Sequence, residues 1–266
     1  NFMKLKKIKK KKNYLISVIM NCHNGEKYLD QSIRSVLNQS YENWELIFFN
    51  NSSKDKSKNI INNYLQDKRI KYFESNKLLN LYDARNQAIR KSKGQYISFL
   101  DTDDYWDKNK LQIQLNFIKK NNCKMLYSKY YILNQIKKKK YLNKKRKLIS
   151  GNLTQSLLDD YSVGILTAIF KRSIFDKISF NKRYNIVGDF DFFLRVSLFY
   201  KIYVINKPLA TYRHHELNLS NIKLDTHIQE LNSWIKKNAI KFKSYSLVNL
   251  KFYIFKLKLK KILKKI

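Results

Sequence analysis

Apolar and polar positions alternate in blocks along the first half of the chain. Leu15 to Met20 is an apolar run that predicts a strand, and Tyr28, Leu29, Ile33, Val36 and Leu37 then recur at helical spacing. Trp44 to Phe49 predicts a second strand, followed by a helix carrying Ile60, Ile61, Tyr64 and Leu65. Ile70 to Phe73 reads as a short third strand, and Ala84, Ala88 and Ile89 mark the next helix. Gln95 to Leu100 is a fourth strand, and Leu111, Leu115 and Ile118 mark another helix. Strands separated by helices at this spacing imply right-handed crossovers and a mostly parallel sheet, an α/β nucleotide-binding architecture in outline. No Gly-x-Gly-x-x-Gly loop is present, which argues against a dinucleotide fold of the hydride-transfer kind.

The second half is less regular. Ile165 to Phe170 and Ile202 to Ile205 predict strands, with a helix from about Phe190 to Tyr200 between them. After Ser220 the pattern is helical to the end. Val248, Phe252, Phe255, Leu259, Ile262, Leu263 and Ile266 fall on one face at 3.6 residues per turn. Lys251, Lys256, Lys258, Lys260, Lys261, Lys264 and Lys265 cover the other side, with no acid among them. Such a helix suits an anionic membrane surface, its apolar face lying in the headgroup boundary. The alternative is a helix that packs on its own core, or on a twin subunit in a homodimer.

Composition narrows the classes. A chain of 266 residues with 44% hydrophobic residues has enough apolar surface for one large core domain with an extension. One proline and five glycines argue against a long disordered linker. Cys22 and Cys123 are far apart and lack zinc-type spacing, so they read as reduced thiols of a cytoplasmic protein. No unbroken apolar run reaches membrane-spanning length and no signal-peptide pattern is present, although the chain opens on Asn1 and so leaves the natural start open. Fifty-five Lys and Arg against 20 acids give +35, a balance that calls for an anionic partner: nucleic acid, membrane or phosphorylated substrate. The charge sits mainly in Lys4 to Lys12, in Lys137 to Lys147 (an exposed loop or hairpin) and in Lys236 to Lys265.

The most specific chemistry lies in Asp101-Thr102-Asp103-Asp104, at the end of the fourth predicted strand. Ligands of open α/β sheets bind outside the carboxyl ends of the strands. Carboxylates clustered there are costly unless a cation sits among them, and a divalent ion carrying a phosphorylated ligand is the simplest candidate. The competing reading makes Asp104 a helix cap and leaves the other two solvated.

Several motifs in order resemble the family 2 glycosyltransferases with the GT-A fold. Ile16 to Asn24 is similar to the family's opening strand, Ser32 to Tyr41 to its first helix, and Trp44 to Asp55 to its second strand and acidic turn. Ala84 to Ile89 and Asp101 to Asp104 follow at the family's spacing, and the likeness runs from about Ile16 to Ser220. It implies a Rossmann-like, mostly parallel sheet flanked by helices. Residues 15–106 would form the nucleotide-sugar-binding half and 107–220 the acceptor-binding and catalytic half. A basic arm (1–14) and a basic helical extension (221–266) would flank them.

The resemblance also implies roles. Asp103 would ligate Mn²⁺ or Mg²⁺ bridging the two phosphates of a nucleotide-sugar, Asp101 would bind the ribose, and Asp104 would support the cluster, with Thr102 between them. Asn21 and His23 would lie around the base. Asn50 and Asn51 stand where the family commonly has two Asp, and Asn51 can accept or donate toward a base, which leaves uridine the first expectation. Arg85 would face phosphate or base, with an ordinary salt bridge as the alternative. Val187 to Arg195 resembles the family's Glu-Asp-x-Asp segment with Gly188 replacing Glu. Asp189 would be the general base, although the same position suits a helix cap. Asp191 would pair with Arg195 one turn on. Tyr212 to Ser220 resembles the late loop that closes over the diphosphate, His215 completing the metal shell and Arg213 offsetting phosphate charge. Tyr105 and Trp106 would offer a platform for sugar rings or pack in the core.

These expectations describe an inverting, metal-dependent transferase of a sugar, from a UDP-sugar to a hydroxyl of a glycan or lipid-linked acceptor in bacterial surface-polysaccharide synthesis. It would act at the inner face of the cytoplasmic membrane. A polyprenyl-phosphate acceptor is a close alternative. A nucleic-acid-binding protein is the alternative from another class, but it leaves both acidic motifs unexplained, so no nucleic acid is expected. A donor-binding protein that no longer catalyses is a third, for which Gly188 and Asn51 are the hints.

Overall fold

The computed structural model describes residues 13–144, 146–216, 218 and 222–263. Most of the basic arm, the end of the tail with Lys264, Lys265 and Ile266, and part of the late loop lie outside the described residues.

The alternation in the first half becomes β1 (Ile16–Cys22), α1 (Glu26–Leu37), β2 (Trp44–Asn50), α2 (Ser57–Asn62), β3 (Ile70–Glu74), α3 (Leu81–Lys91) and β4 (Tyr96–Phe99). These strands pair in parallel in the order β3-β2-β1-β4, with Cys22 opposite Asn50 and Ile19 opposite Phe99. Parallel pairing puts the carboxyl ends of β1, β2 and β4 on one edge. The residues that follow them, His23, Asn51 and Asp101, therefore share that edge.

Beyond β4 the sheet becomes mixed. It continues β4-β8-β6-β9-β5 through β5 (Tyr105–Trp106), β6 (Met125–Asn134), β8 (Ile169–Lys171) and β9 (Tyr203–His214), with β7 (Lys139–Leu142) paired to β6. α4 (Lys110–Asn121), α5 (Thr154–Asp159) and α6 (Gly188–Ser197) lie between them in sequence. Two segments differ from the reading of the pattern. Ile165 to Thr167 forms a 3₁₀ turn before β8 begins. β9 runs nine residues past Ile205 because two register shifts against β6, with the extra residues on β9, absorb the polar stretch around Pro208. The Lys137 to Lys147 block, expected as an exposed loop or hairpin, supplies the hairpin strand β7 against β6, with Lys138 at φ 48° in the turn.

Each sheet face has its own core. Val18, Leu29, Ile33, Leu111 and Leu115 pack on one side. On the other, Phe170, Phe175, Phe180 and Phe192 form a ring cluster, Phe180 and Phe192 with centroids 4.3 Å apart. The tail is two helices, α7 (Leu224–Asn238) and α8 (Val248–Leu263), and both join this second core. α7 buries Ile228, Leu231 and Trp234, and α8 buries Leu250, Ile254 and Leu257. The stripe that the periodicity selects on α8 is the other one: Val248, Phe252, Phe255, Leu259, Ile262 and Leu263 are all exposed. This helix therefore has two apolar stripes, with lysines between them.

Candidate active site

The Asp-x-Asp segment follows β4, and its loop is held from three sides. Ser32 Oγ donates to the carbonyls of Thr102 and Asp104 at 2.7 and 2.6 Å, tying the loop to α1. Arg213 Nε donates to the carbonyl of Asp103 at 2.8 Å, and its Nη2 reaches Gln31 Oε1. The buried Asp104 accepts the Arg213 backbone N–H through Oδ1 at 2.8 Å. Burial, with Asp103 and Asp101 close by, pushes the Asp104 carboxyl well above the usual carboxylate range. Gly25 is required here because a Cβ would lie 2.7 Å from Thr102 Oγ1.

Asp103 points the other way. Its Oδ2 lies 3.0 Å from His215 Nε2 and 3.4 Å from Asn218 Nδ2, on the segment after β9. One carboxylate and one imidazole, brought together from two segments, suit a cation such as Mn²⁺ that takes its remaining ligands from phosphate and water. Among the described residues no third His, Cys, Asp or Glu completes an all-protein cage.

Arg85, on α3, is the hub of the site. Its side chain is 2% exposed, and its Nη2 donates to Asp101 Oδ1 and Oδ2 at 2.8 and 3.1 Å. Its Nη1 donates to Asp189 Oδ1 at 2.5 Å. One guanidinium fork thus joins the strand-end acid to the acid at the mouth of α6. Burial raises the Asp189 carboxyl above its ordinary value, Arg85 pulls it back down, and Asp101 raises it again. In this arrangement Arg85 faces two carboxylates.

The helix mouth that carries Asp189 is positioned from α7. Glu230 Oε2 accepts from the backbone N–H groups of Ile186 and Val187 at 2.9 and 3.1 Å, and its Oε1 accepts from that of Asn185 at 2.6 Å. Asp191 pairs with Arg195 through Oδ2 at 2.8 Å and accepts the indole N–H of Trp234 at 3.0 Å, which fastens α6 to α7. Sequence reasoning missed Glu230 and Trp234. The available signal was one Glu and one Trp in an otherwise Lys-rich stretch.

At the ends of β1 and β2, His23 Nδ1 lies 3.0 Å from the Asn51 carbonyl. The Asn51 amide is engaged at both ends by Leu79, accepting its N–H and donating to its carbonyl at 2.9 Å each. Asn50 donates to Tyr72 Oη and Glu74 Oε1, both at 3.0 Å. Asn21 Nδ2 is buried and has no hydrogen-bond partner among the described residues, an orphan donor at the strand end. Trp106 is 4% exposed and its indole donates to the Leu166 carbonyl at 2.8 Å, so it packs in the core, whereas Tyr105 is half-buried beside Arg213.

A family model described as Glycosyl transferase family 2 matches residues 17–193, more than half of the chain. The chain is 33% identical over 168 residues to the Escherichia coli protein named UDP-Glc:alpha-D-GlcNAc-diphosphoundecaprenol beta-1,3-glucosyltransferase WfgD, covering 63% of this chain and 64% of that one. It is 36% identical over 124 residues to a putative teichuronic acid biosynthesis glycosyltransferase, TuaG, of Bacillus subtilis, covering 46% and 48%. These matches span about half to two thirds of the relatives' own length. Among solved structures, S. aureus TarS 1-349 in complex with UDP-GlcNAc superposes with a TM-score of 0.66 at 18% identity, over 83% of this chain and 66% of that one. A mannosyltransferase of Pyrobaculum calidifontis, in complex with GDP-Man and Mn²⁺, gives 0.63 at 12% identity, over 85% and 65%.

Proposed function

This chain belongs to glycosyl transferase family 2, and we propose that it is an inverting transferase of a sugar from a nucleotide-sugar to an acceptor hydroxyl. The observation that carries the reading is the Arg85 fork, which ties Asp189 to Asp101, two residues before Asp103. Donor and base chemistry thereby meet at one gap.

Asp189 takes the proton of the acceptor hydroxyl as its oxygen attacks the anomeric carbon, and the bond from that carbon to the diphosphate breaks on the opposite side. Asp189 is suited to this by an oxygen, Oδ2, that Arg85 does not engage. Asp103 and His215 would hold the divalent cation, which supplies charge neutralisation for the departing diphosphate. Arg213 acts by holding the Asp103 backbone, with its guanidinium 4.3 Å from the Tyr28 ring centroid. Donors with UDP are favoured by the names of WfgD and of the TarS complex. Asn51 contributes by fixing Leu79, and its carbonyl oxygen keeps a second lone pair for a base N–H.

The acceptor is a glycan or lipid-linked sugar of a bacterial surface polymer, a reading supported by the names of WfgD and TuaG. Among the described residues no helix is long and apolar enough to cross a membrane. The exposed stripe of α8, flanked by Lys251, Lys256, Lys258 and Lys260, fits an anionic lipid surface by charge and by apolarity.

Calorimetric titration with UDP and GDP, with and without Mn²⁺, tests the donor half, and UDP release from a UDP-sugar panel tests transfer. UDP binding that Mn²⁺ strengthens, and that Asp103→Ala uncouples from Mn²⁺, is expected. Metal-independent binding, or turnover that survives Asp189→Asn, would overturn the assignment.

A further inference from the structure

A cavity of about 300 Å³ opens beside Asp189, walled by α5, the mouth of α6, α7 and α8. Asp189 and Val187 are part of its lining, and Phe190, Leu231 and Leu250 contribute apolar surface. Nothing in the donor chemistry uses this space. Its size lies at the lower end of what ligand pockets have, enough for a sugar ring with its remainder outside.

Besides three carboxylates and Tyr253, two polar side chains, Tyr161 and His227, line this cavity. Tyr161 Oη is buried without a hydrogen-bond partner among the described residues, and its ring is held edge-on by Phe190 and Phe193, with centroids 5.4 and 6.1 Å away. A buried hydroxyl left unsatisfied is a cost that a ligand hydroxyl would remove. His227, on α7, stands edge-on to Tyr253, with centroids 6.1 Å apart. Burial pushes the imidazole below its ordinary value, so it meets a ligand neutral, able to donate or accept. The two carboxylates that line the cavity besides Asp189 are already engaged: Asp159 by Gln155 and Asn249, Asp160 by Lys144 and Arg146. Asp159 has no cationic partner among the described residues, and its charge disfavours an anion inside.

We propose that this cavity is the acceptor site, that Tyr161 and His227 read the acceptor's hydroxyls, and that it takes a neutral sugar ring carried on an apolar aglycone. The tail helices thereby become part of the active site. Tyr253, 45% exposed, stands at the rim where an aglycone would leave. The inference rests on the donor reading for its place beside the base, but its test does not.

The test titrates octyl glucoside and octyl N-acetylglucosaminide, below their micelle concentrations, into the full chain by calorimetry, with the free sugars as controls. A parallel UDP–Mn²⁺ titration reports the donor side. At least one octyl glycoside should bind about tenfold more tightly than its free sugar. Tyr161→Phe, which removes one hydroxyl, should weaken that binding by about three- to tenfold. His227→Trp, which puts a larger ring into the lining beside Tyr253, should abolish it, with UDP affinity unchanged in both variants. Octyl glycosides that bind no better than free sugars, or that bind both variants as they bind the native chain, would overturn the inference. Failure of UDP to bind the native chain would instead count against the donor reading and leave this comparison decisive.

Discussion

The ring of Tyr82 occupies the space that a side chain at Gly188 would need. A Cβ built on Gly188 lies 2.5 Å from both Cδ2 and Cζ of that ring, and Tyr82 is fixed there by its hydroxyl, which donates to the Ile186 carbonyl at 2.8 Å. The glycine in place of the family's Glu is therefore a packing requirement of this chain, and the helix mouth is shaped by Tyr82 from α3.

It follows that Gly188→Ala is destabilising although alanine favours helix. The ring is fully buried and cannot retreat, so overpacking of about 1–3 kcal/mol is expected. Chemical denaturation would measure it. Unchanged stability would mean that the ring yields.

The pH dependence of transfer follows from the Arg85 fork. Burial raises the Asp189 carboxyl, so the proposed base is lost by protonation on the acid side, and the rate should fall as pH drops through a value above the ordinary 3.8. Arg85 holds that value down. Arg85→Gln should therefore move the acid limb of kcat/KM to higher pH, and Arg85→Lys should partly restore it. Removing one partner from buried carboxylates also costs about 3–5 kcal/mol, so the profile should be taken well below the melting temperature. An acid limb that stays put in Arg85→Gln would remove Asp189 from the rate.

Glu230 should matter for turnover more than for donor binding. Its carboxylate accepts three backbone N–H groups just ahead of Asp189, each a charge-assisted bond. Glu230→Ala leaves those donors unsatisfied, and a loss of about 2–4 kcal/mol in stability is expected. Glu230→Gln should keep much of the stability and lose kcat, with UDP affinity unchanged. Equal loss of UDP affinity would point to a general collapse of the site.

Much of this was legible in the sequence, and the reason is local. The apolar runs of β1, β2, β3 and β4 and the helices between them follow periodicities that a short window contains, so the parallel half and the edge where its strands end could be read directly. The approximate places of Asp103, Asp189 and His215 came from motifs. What tied them together did not. Arg85 meets Asp189 across 104 residues and Glu230 meets Val187 across 43, and neither separation leaves a periodic trace. The tail was legible as helix but not as core, because Leu250, Ile254 and Leu257 keep the same spacing as the stripe that faces outward. Asn206, Lys207 and Pro208 hid the length of β9, since they interrupt its apolar run and only the pairing with β6 shows that β9 bulges and continues past them.

Lys110 offers a test of stability away from the site. It is fully buried on α4, where Nζ donates to Ser98 Oγ and Gln114 Oε1 at 2.9 Å each and lies 3.8 Å from the Trp106 ring centroid. Among the described residues no carboxylate pairs with it, and burial pushes it well below its ordinary 10.5. Between the lowered value and 10.5 the unfolded chain binds the proton and the folded chain does not. Stability from this group therefore rises with pH across that window, by up to about 1.4 kcal/mol per pH unit. Lys110→Met should lose this rise, so denaturant unfolding at pH 7 and pH 9 should separate the two proteins more at pH 9. Parallel pH profiles would show that Lys110 stays charged when folded.

The exposed stripe of α8 makes the last prediction. Deleting the helix would uncover Ile228, Leu231 and Trp234 as well as its own packing stripe, so truncation cannot separate anchoring from folding. Substitution can. Phe252 and Phe255 are each 53% exposed and stack on one another with centroids 6.5 Å apart, and Lys256 Nζ lies 4.5 Å from the Phe252 ring centroid. Changing both to Asp removes apolar insertion and adds two like charges toward an anionic surface, while leaving Leu250, Ile254 and Leu257 in place. Vesicles containing about a third phosphatidylglycerol should sediment the native chain at low salt and lose about tenfold of that binding with Phe252→Asp/Phe255→Asp. Neutral phosphatidylcholine vesicles should bind the native chain weakly. Transfer to a short soluble acceptor should be unchanged, because neither ring touches the cavity beside Asp189. If the double variant sediments like the native chain, the stripe is not the lipid contact. A native chain that dimerises through these rings, with the variant monomeric, would instead make the face a subunit interface.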